Sequence, residues 1–349
     1  MQAPIVIAGQ SIEPGGRRII ELPVARLYTH TEIQIPLQVF HGRRPGPRLF
    51  VSAAIHGDEI CGVEIIRRIA QQHQLRHLKG TLILVPVVNI HGFLTHSRYL
   101  PDRRDLNRSF PGSDKGSLAG RVARLFMDEV VAHCTHGIDL HTGAGHRVNL
   151  PQVRGCLNDP ETKRLAQAFG APIVLDAVVR DGSLREAVAD RGIPMLLYEG
   201  GEALRFDEMA IRAGVRGVVE VMREIGMLGD KRASHRKSCV IPLVAGSSAW
   251  VRAPKSGIFR SKIRLGQKVA EKAVLGFVGD PFGERDLEVR SNMDGVVIGM
   301  TRLPLANEGD ALVHIARISA EKPVAQTMQT FHSELGGFPE PWPEELPPL

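Results

Sequence analysis

A histidine and a glutamate three residues apart close an apolar run at Ala54-Ile55-His56-Gly57-Asp58-Glu59. At the start of a helix, that spacing can bring an imidazole and a carboxylate to one metal ion, although a lone H-x-x-E pair is more often a capped helix start. A second apolar run, Ile138-Asp139-Leu140-His141-Thr142-Gly143, offers another histidine at its end. Two histidines and one glutamate leave a fourth position open, as catalytic zinc requires. A third run, Leu196-Leu197-Tyr198-Glu199-Gly200-Gly201, places a carboxylate ahead of two glycines that let the backbone turn tightly around a site. Between the first two runs, the stretch from Arg98 to Gly112 holds Arg98, Arg103, Arg104 and Arg108. Guanidiniums so crowded repel one another unless an anion or acidic neighbours offset them, and a solvated basic loop is the plain reading of that segment alone.

These residues need a frame that collects strand ends. Short apolar runs alternate with amphipathic stretches through the first 230 residues. Strands are expected at Arg48–Ile55, Thr81–Val88, Gly137–Leu140, Gln152–Leu157, Pro172–Leu175 and Pro194–Tyr198, and helices at Asp58–Gln72, Gly120–His133, Glu161–Phe169, Ser183–Asp190 and Phe206–Ile225. The alternation predicts an α/β fold, a mostly parallel mixed sheet flanked by helices, with ligands gathered at the C-terminal ends of strands. The charged run Asp230–Ser238 is the linker candidate, so residues 1–232 form one expected domain. Beyond it, glycines punctuate short Val/Ile-rich runs and predict a small all-β domain over 239–320. The tail, 321–349, is rich in Pro and Glu and is expected to be extended or partly disordered, with Trp342 the residue expected to dock.

Composition narrows the function classes. The 349 residues carry 44 Lys+Arg against 38 Asp+Glu, a formal charge of +6, and 43% are hydrophobic, as in ordinary globular proteins. No apolar stretch approaches the roughly 18 residues of a membrane helix, and Met1–Gly16 lacks the features of a secretory signal, so a cytoplasmic, membrane-free protein is expected. Aromatic content is 5% and basic runs are short, which argues against a nucleic-acid partner and for a small anionic one. Four cysteines without a C-x-x-C pair argue against a disulfide framework and a thiolate zinc site and read as core residues or inert thiols. Neither G-x-S-x-G, H-E-x-x-H nor a phosphate-binding G-x-x-x-x-G-K-[ST] loop occurs.

His56-x-x-Glu59, the run Asp105-Leu106-Asn107-Arg108, Asp139-Leu140-His141 and Glu199, in that order, resemble the signature of the succinylglutamate desuccinylase/aspartoacylase family, relatives of zinc carboxypeptidases. The resemblance spans about residues 45–320. It implies one zinc per chain held by His56, Glu59 and His141, with Glu199 as general base and then acid. It further implies that Arg108, with Asn107, binds a substrate carboxylate and that Asp105 orients a zinc-bound histidine. Arg98 resembles the arginine that polarises the scissile carbonyl, with Arg103 and Arg104 as alternatives. Chemically the set is coherent: a zinc site open to water lowers that water's pKa to about 7, a carboxylate relays its proton, and arginines stabilise an oxyanion and grip a carboxylate.

The β domain resembles a biotinyl/lipoyl-type barrel-sandwich at Ala253-Pro254-x-Ser256-Gly257, Leu265-Gly266-x-x-Val269, Asp294-Gly295-Val296 and Glu308-Gly309-Asp310. Neither Met-Lys-Met nor Asp-Lys-Ala occurs, so a structural role is expected, shielding the cleft or joining copies into a homo-oligomer. His91, His96, His133 and His136 read as loop or core histidines, Phe110 and Phe126 as core, and His146 with Arg147 as either pocket lining or plain surface loop. The expected function is zinc-dependent hydrolysis of the amide bond of an N-acyl amino acid. The rivals are a metallocarboxypeptidase removing a C-terminal acidic residue and a non-catalytic binding or carrier protein.

Overall fold

The computed structural model describes residues 2–177, 180–229, 240–318 and 323–336. A sheet of 13 strands runs through the molecule. From one edge its order is Arg17–Arg26, Glu32–His41, Lys79–Val85, Arg44–Ala53, His136–Gly143, Met195–Glu202, Arg147–Gly155, Gly295–Thr301, Ala311–Ala316 and Ser248–Arg252. Ile173–Asp176 pairs with Arg147–Gly155 and carries Leu243–Ala245 beside it, while Lys268–Val269 pairs with Gly295–Thr301. The central strands Lys79–Val85, Arg44–Ala53, His136–Gly143 and Met195–Glu202 are mutually parallel, and the strands on either side of them in that order pair antiparallel, whereas Ile173–Asp176 and Leu243–Ala245 pair parallel. The expected α/β class is therefore observed.

Both faces of the central strands are buried, which is why they read as continuous apolar runs. On one face Val51, Leu140 and Leu196 pack against Ile65 and Ile69 of helix Cys61–Ala70, Phe169 of helix Pro160–Phe169, and Val218 of helix Glu208–Glu224. On the other, Phe50 and Ile83 meet Phe126 of helix Leu118–Glu129 and Leu184 of helix Leu184–Ala189, with Phe110 edge-on to Phe126 at 6.2 Å. Each such fully buried large side chain contributes about 1.5–3 kcal/mol relative to exposure. The helices expected from periodicity are all present with ends shifted by a few residues. No helix among the described residues is long and apolar enough to cross a membrane.

Three departures from expectation have simple causes. The hairpin Arg17–Arg26/Glu32–His41 was not anticipated: only alternate residues such as Ile20, Leu22, Ile35 and Leu37 are buried, and Pro23 and Pro36 interrupt the pattern, as an edge position tolerates. The tail is not wholly extended, because Val324–Glu334 forms a helix that buries Val324, Met328 and Phe331 on one face. Arg216 anchors it, pairing with Glu334 at 2.7 Å and lying over the Phe331 ring. Trp342 and the whole linker candidate Asp230–Ser238 lie outside the described residues. Finally, the strands after residue 240 do not all stand apart. A four-stranded antiparallel sheet forms there (Asp286–Arg290, Val274–Gly279, Gly257–Ser261, Leu305–Ala306), yet Gly295–Thr301 pairs directly with Arg147–Gly155 and extends the large sheet.

Candidate metal and catalytic site

Three adjacent parallel strands deliver the expected residues to one place. Arg44–Ala53 ends at Ala54, whose φ of 49° turns the chain out of the sheet into the His56–Glu59 segment. Gly57 allows this segment to press against the short helix Ile90–Leu94, since a Cβ there would lie 1.9 Å from the carbonyl carbon of Gly92. His136–Gly143 brings His141, and Met195–Glu202 brings Glu199, the Cα partner of His141 across the parallel pair.

His56, Glu59 and His141 are buried together, with one donor atom from each lying within 4.8 Å of the others. The Glu59 carboxylate sits between the imidazoles: Oε1 is 2.7 Å from His56 Nδ1 and Oε2 is 2.7 Å from His141 Nδ1. The outer nitrogens face other carboxylates, His56 Nε2 at 3.2 Å from Asp105 Oδ1 and His141 Nε2 at 2.6 Å from Asp139 Oδ2. Asp139 is itself held by the Ser52 hydroxyl at 2.8 Å. A histidine that donates its Nε2–H outward to a carboxylate turns the Nδ1 lone pair inward, which is the tautomer a metal needs. The donor set of two imidazoles and one carboxylate, without thiolate, fits zinc.

The electrostatics agree. Burial opposes protonation of His56, but the Glu59 charge and the hydrogen bonds to Asp105 and Glu59 outweigh it and raise its pKa. Burial likewise opposes His141, and Asp139 and Glu59 together push it well above the usual imidazole value. Burial alone would lift Glu59 and Asp105, yet the adjoining histidines, helped at Asp105 by Arg98, hold both well below the carboxylate range. A pocket that attracts protons to two imidazoles this way attracts a divalent cation for the same reason.

Arg98 donates Nη2 to Asp105 at 2.9 Å and lies 3.4 Å from Glu59 through Nη1, whereas Arg103 and Arg104 are exposed. Asn107 is buried and its Oδ1 accepts from Leu184 N at 2.9 Å, which ties the loop to the start of helix Leu184–Ala189. Arg108 is exposed, with Nη1 donating to the Asn107 carbonyl. Among the residues left between two readings, His146 is exposed on its loop and Arg147 lies 5.2 Å from the Trp250 ring. Cys61 and Cys134 are buried, with thiols pushed up by burial, Cys61 to about 12, so both are inert.

The succinylglutamate desuccinylase/aspartoacylase catalytic domain matches residues 45–225, more than half the chain. The chain belongs to this family. A curated relative, the N-alpha-acetyl-L-2,4-diaminobutyric acid deacetylase of Halomonas elongata, is 26% identical over 298 residues, covering 82% of this chain and 86% of that protein. Two solved structures share the fold. The product-bound ectoine utilization protein EutE (DoeB) from Ruegeria pomeroyi has a TM-score of 0.79 at 23% identity, over 91% of this chain and 98% of that one. A succinylglutamate desuccinylase/aspartoacylase from Rhodobacter sphaeroides has a TM-score of 0.77 at 24% identity, over 87% of this chain and 96% of that one. Family membership makes the protein an amide hydrolase of the deacylase kind.

Several residues around the site were not singled out from the sequence. Asp139 was visible two residues before His141, and the period of a strand places both on one face. Asn149 and Arg154 carried no such signal. They meet Glu199 from the antiparallel strand Arg147–Gly155: Asn149 Nδ2 donates to Oε2 at 2.5 Å, and Arg154 Nη2 lies 3.3 Å from the same oxygen. Arg180 and Arg185 approach the same region. Desolvation and then the charge of Arg154 lower the pKa of each, so cationic charge accumulates beside Glu199.

Proposed function

We propose that the protein is a zinc-dependent deacylase that hydrolyses the amide bond of a small N-acyl amino acid. The observation that carries this is the buried convergence of His56, Glu59 and His141, each imidazole backed by its own carboxylate, beside Glu199 on the adjoining strand. Under this reading His56, Glu59 and His141 hold one zinc per chain. The chemistry a bound zinc supplies is Lewis acidity, which makes water a nucleophile near neutral pH. Glu199 takes a proton from that water and later delivers it to the departing amine, so one carboxylate serves as base and then acid. Arg98 faces the scissile carbonyl and stabilises the negative charge that develops on its oxygen. Arg108, from a loop held by Asn107, grips the substrate carboxylate through a paired guanidinium contact. Asp105 and Asp139 keep the two imidazoles in the metal-binding tautomer. Residues 1–232 then form the hydrolytic unit, and 239–320 close the sheet behind Glu199.

Support for the substrate class comes from the Halomonas elongata relative, which deacetylates an N-acetylated diamino acid, and from the guanidiniums near Glu199, which suit a carboxylate-bearing molecule. The test is a panel of N-acetyl and N-succinyl amino acids alongside peptides ending in Asp or Glu, with metal content measured on the same preparation. Release of free amino acid from the acylated compounds, with about one zinc per chain, is expected. Cleavage of the peptides alone would replace the deacylase with a carboxypeptidase, and no cleavage with no metal would remove both.

A further inference from the structure

The strand Gly295–Thr301 lies beyond the matched catalytic domain yet touches the machinery around Glu199. In the sheet Asn149 stands between two glycines, Gly201 on one side and Gly299 on the other, as their Cα partner. Next to Gly299 in the following strand is His314, which is the partner of Trp250 in turn. Gly201, Asn149, Gly299, His314 and Trp250 thus form one row across five strands, with Glu199 two residues before Gly201 on the first of them. Its inner end is the hydrogen bond from Asn149 Nδ2 to Glu199 Oε2 at 2.5 Å. A carboxylate only accepts, so the amide must present its nitrogen there, and Oδ1 is directed the other way. On that side the missing side chain of Gly299 makes the space. A Cβ on Gly299 would lie 2.7 Å from Asn149 Oδ1, closer than packed atoms allow, and 3.3 Å from His314 Cβ, a tight contact.

The outer end of the row is rigid. His314 is 5% exposed, its Nε2 is 2.9 Å from the Ser248 hydroxyl, and its ring stacks on Trp250 with centroids 4.6 Å apart and planes 8° from parallel. Burial and the charges of Arg154 and Arg180 keep that ring neutral, its pKa pushed down to about 3. A methyl on Gly299 would have His314 Cβ on its far side and would press on the Asn149 amide, which stands between it and Glu199.

We propose that Asn149 is a positioning residue for Glu199, and that Gly299 in the C-terminal β region sets the placement of the Asn149 amide. The inference rests on the proton-transfer role given to Glu199 above. Its mechanistic content concerns the two carboxylate oxygens. Oε2 is engaged by Asn149 Nδ2 and faced by Arg154 Nη2. Arg154 Nε is 3.1 Å from Oε1 but makes no hydrogen bond. Oε1 is therefore the oxygen with lone pairs to spare for the moving proton, and the Asn149 bond determines which way it faces. Loss of that bond leaves substrate and metal contacts in place but misdirects the proton acceptor, and such an effect falls on kcat rather than KM.

The test uses the full-length metal-loaded protein and the best acylated amino acid from the panel. Asn149→Asp keeps the size and shape of the side chain, Asn149→Leu keeps its branching, and both remove the amide donor. Both should lower kcat about tenfold to hundredfold, the effect of one hydrogen bond to a charged group, with KM and zinc content held within about twofold. Gly299→Ala, in a strand that supplies no ligand, should reproduce the kcat loss with zinc retained. Because that variant can fail to fold, Asn149→Ala/Gly299→Ala is made as well, where the smaller side chain leaves room for the new methyl. If Gly299 acts through Asn149, the double variant has the kcat of Asn149→Ala alone. Unchanged kcat in the Asn149 variants, or a double variant well below Asn149→Ala, would overturn the proposal. Glu199→Gln is run in parallel: full activity there would instead remove the proton-transfer reading on which it rests.

Discussion

Glu59 divides its carboxylate between His56 and His141, one oxygen to each Nδ1 at 2.7 Å, so a single side chain from the start of one helix joins two strand ends. Thr142 N adds a hydrogen bond to Oε2 at 3.1 Å. Glu59 is thus the strut that fixes the separation of the two imidazoles, and under the proposed function it also offers a donor atom to the metal.

Removal of one strand-borne ligand should empty the site. His141→Ala is expected to lose both zinc and activity, because two remaining ligands on a buried site bind zinc poorly. Metal analysis after dialysis against a weak chelator, alongside the deacylase assay, checks it; stoichiometric zinc in the variant would exclude His141 as a ligand.

Asp139 should matter although it touches no substrate. Asp139→Asn keeps the shape but weakens the acceptor facing His141 Nε2, and an apparent zinc affinity about 10–100-fold lower is expected. Competition with a chromophoric chelator measures the affinity directly. An unaltered constant would mean that the Asp139 contact does not set the His141 tautomer.

The basic loop gives a contrast between charge and shape. Arg108→Lys preserves the charge and loses the forked donor geometry, so kcat/KM should fall for the acidic substrate and hold for its neutral amide analogue. Zinc content should be unaffected. Equal small effects on both substrates would return Arg108 to the role of a solvated surface cation.

The neutral state of His314 has a cost at low pH. Burial first, then Arg154 and Arg180, keep the folded ring unprotonated down to about 3, while in the unfolded chain it takes a proton near 6.5. Between these values the unfolded state binds more protons, so stability falls as pH falls, by up to about 1.4 kcal/mol per pH unit from this group. The charges facing the ring are Arg154 and Arg180, with Arg147 over its stacking partner Trp250. In His314→Gln the contribution disappears. Urea unfolding of the metal-free proteins at pH 7 and pH 4.5 should show a smaller acid loss in the variant, and parallel losses would rule the coupling out.

How far this site could be read from the chain depended on where the information lay. His56 and Glu59 are three residues apart, and His141 and Glu199 each close an apolar run ahead of glycine or threonine, so strand ends and residue type brought them forward and the family resemblance gave them their roles. The same local logic found the helices and the central strands, because strands buried on both faces leave continuous apolar runs. It failed where burial is one-sided or begins late. The edge hairpin shows only alternate apolar residues, and the helix Val324–Glu334 shows its stripe of Val324, Met328 and Phe331 inside a Pro/Glu-rich stretch.

The surroundings of Glu199 were decided elsewhere. Asn149 and Arg154 lie 50 and 45 residues away from it in the chain and meet it only because Arg147–Gly155 runs antiparallel beside Met195–Glu202. Gly299 and His314 are farther still, and they reach the site because Gly295–Thr301 adds to the same sheet. Local spacing and hydrophobic period by themselves determined which residues could bind a metal and which segments would carry them, since both are properties of consecutive residues. Strand order and register, which are set by how distant segments pack into one sheet, decided which side chains face those residues and hold them in place.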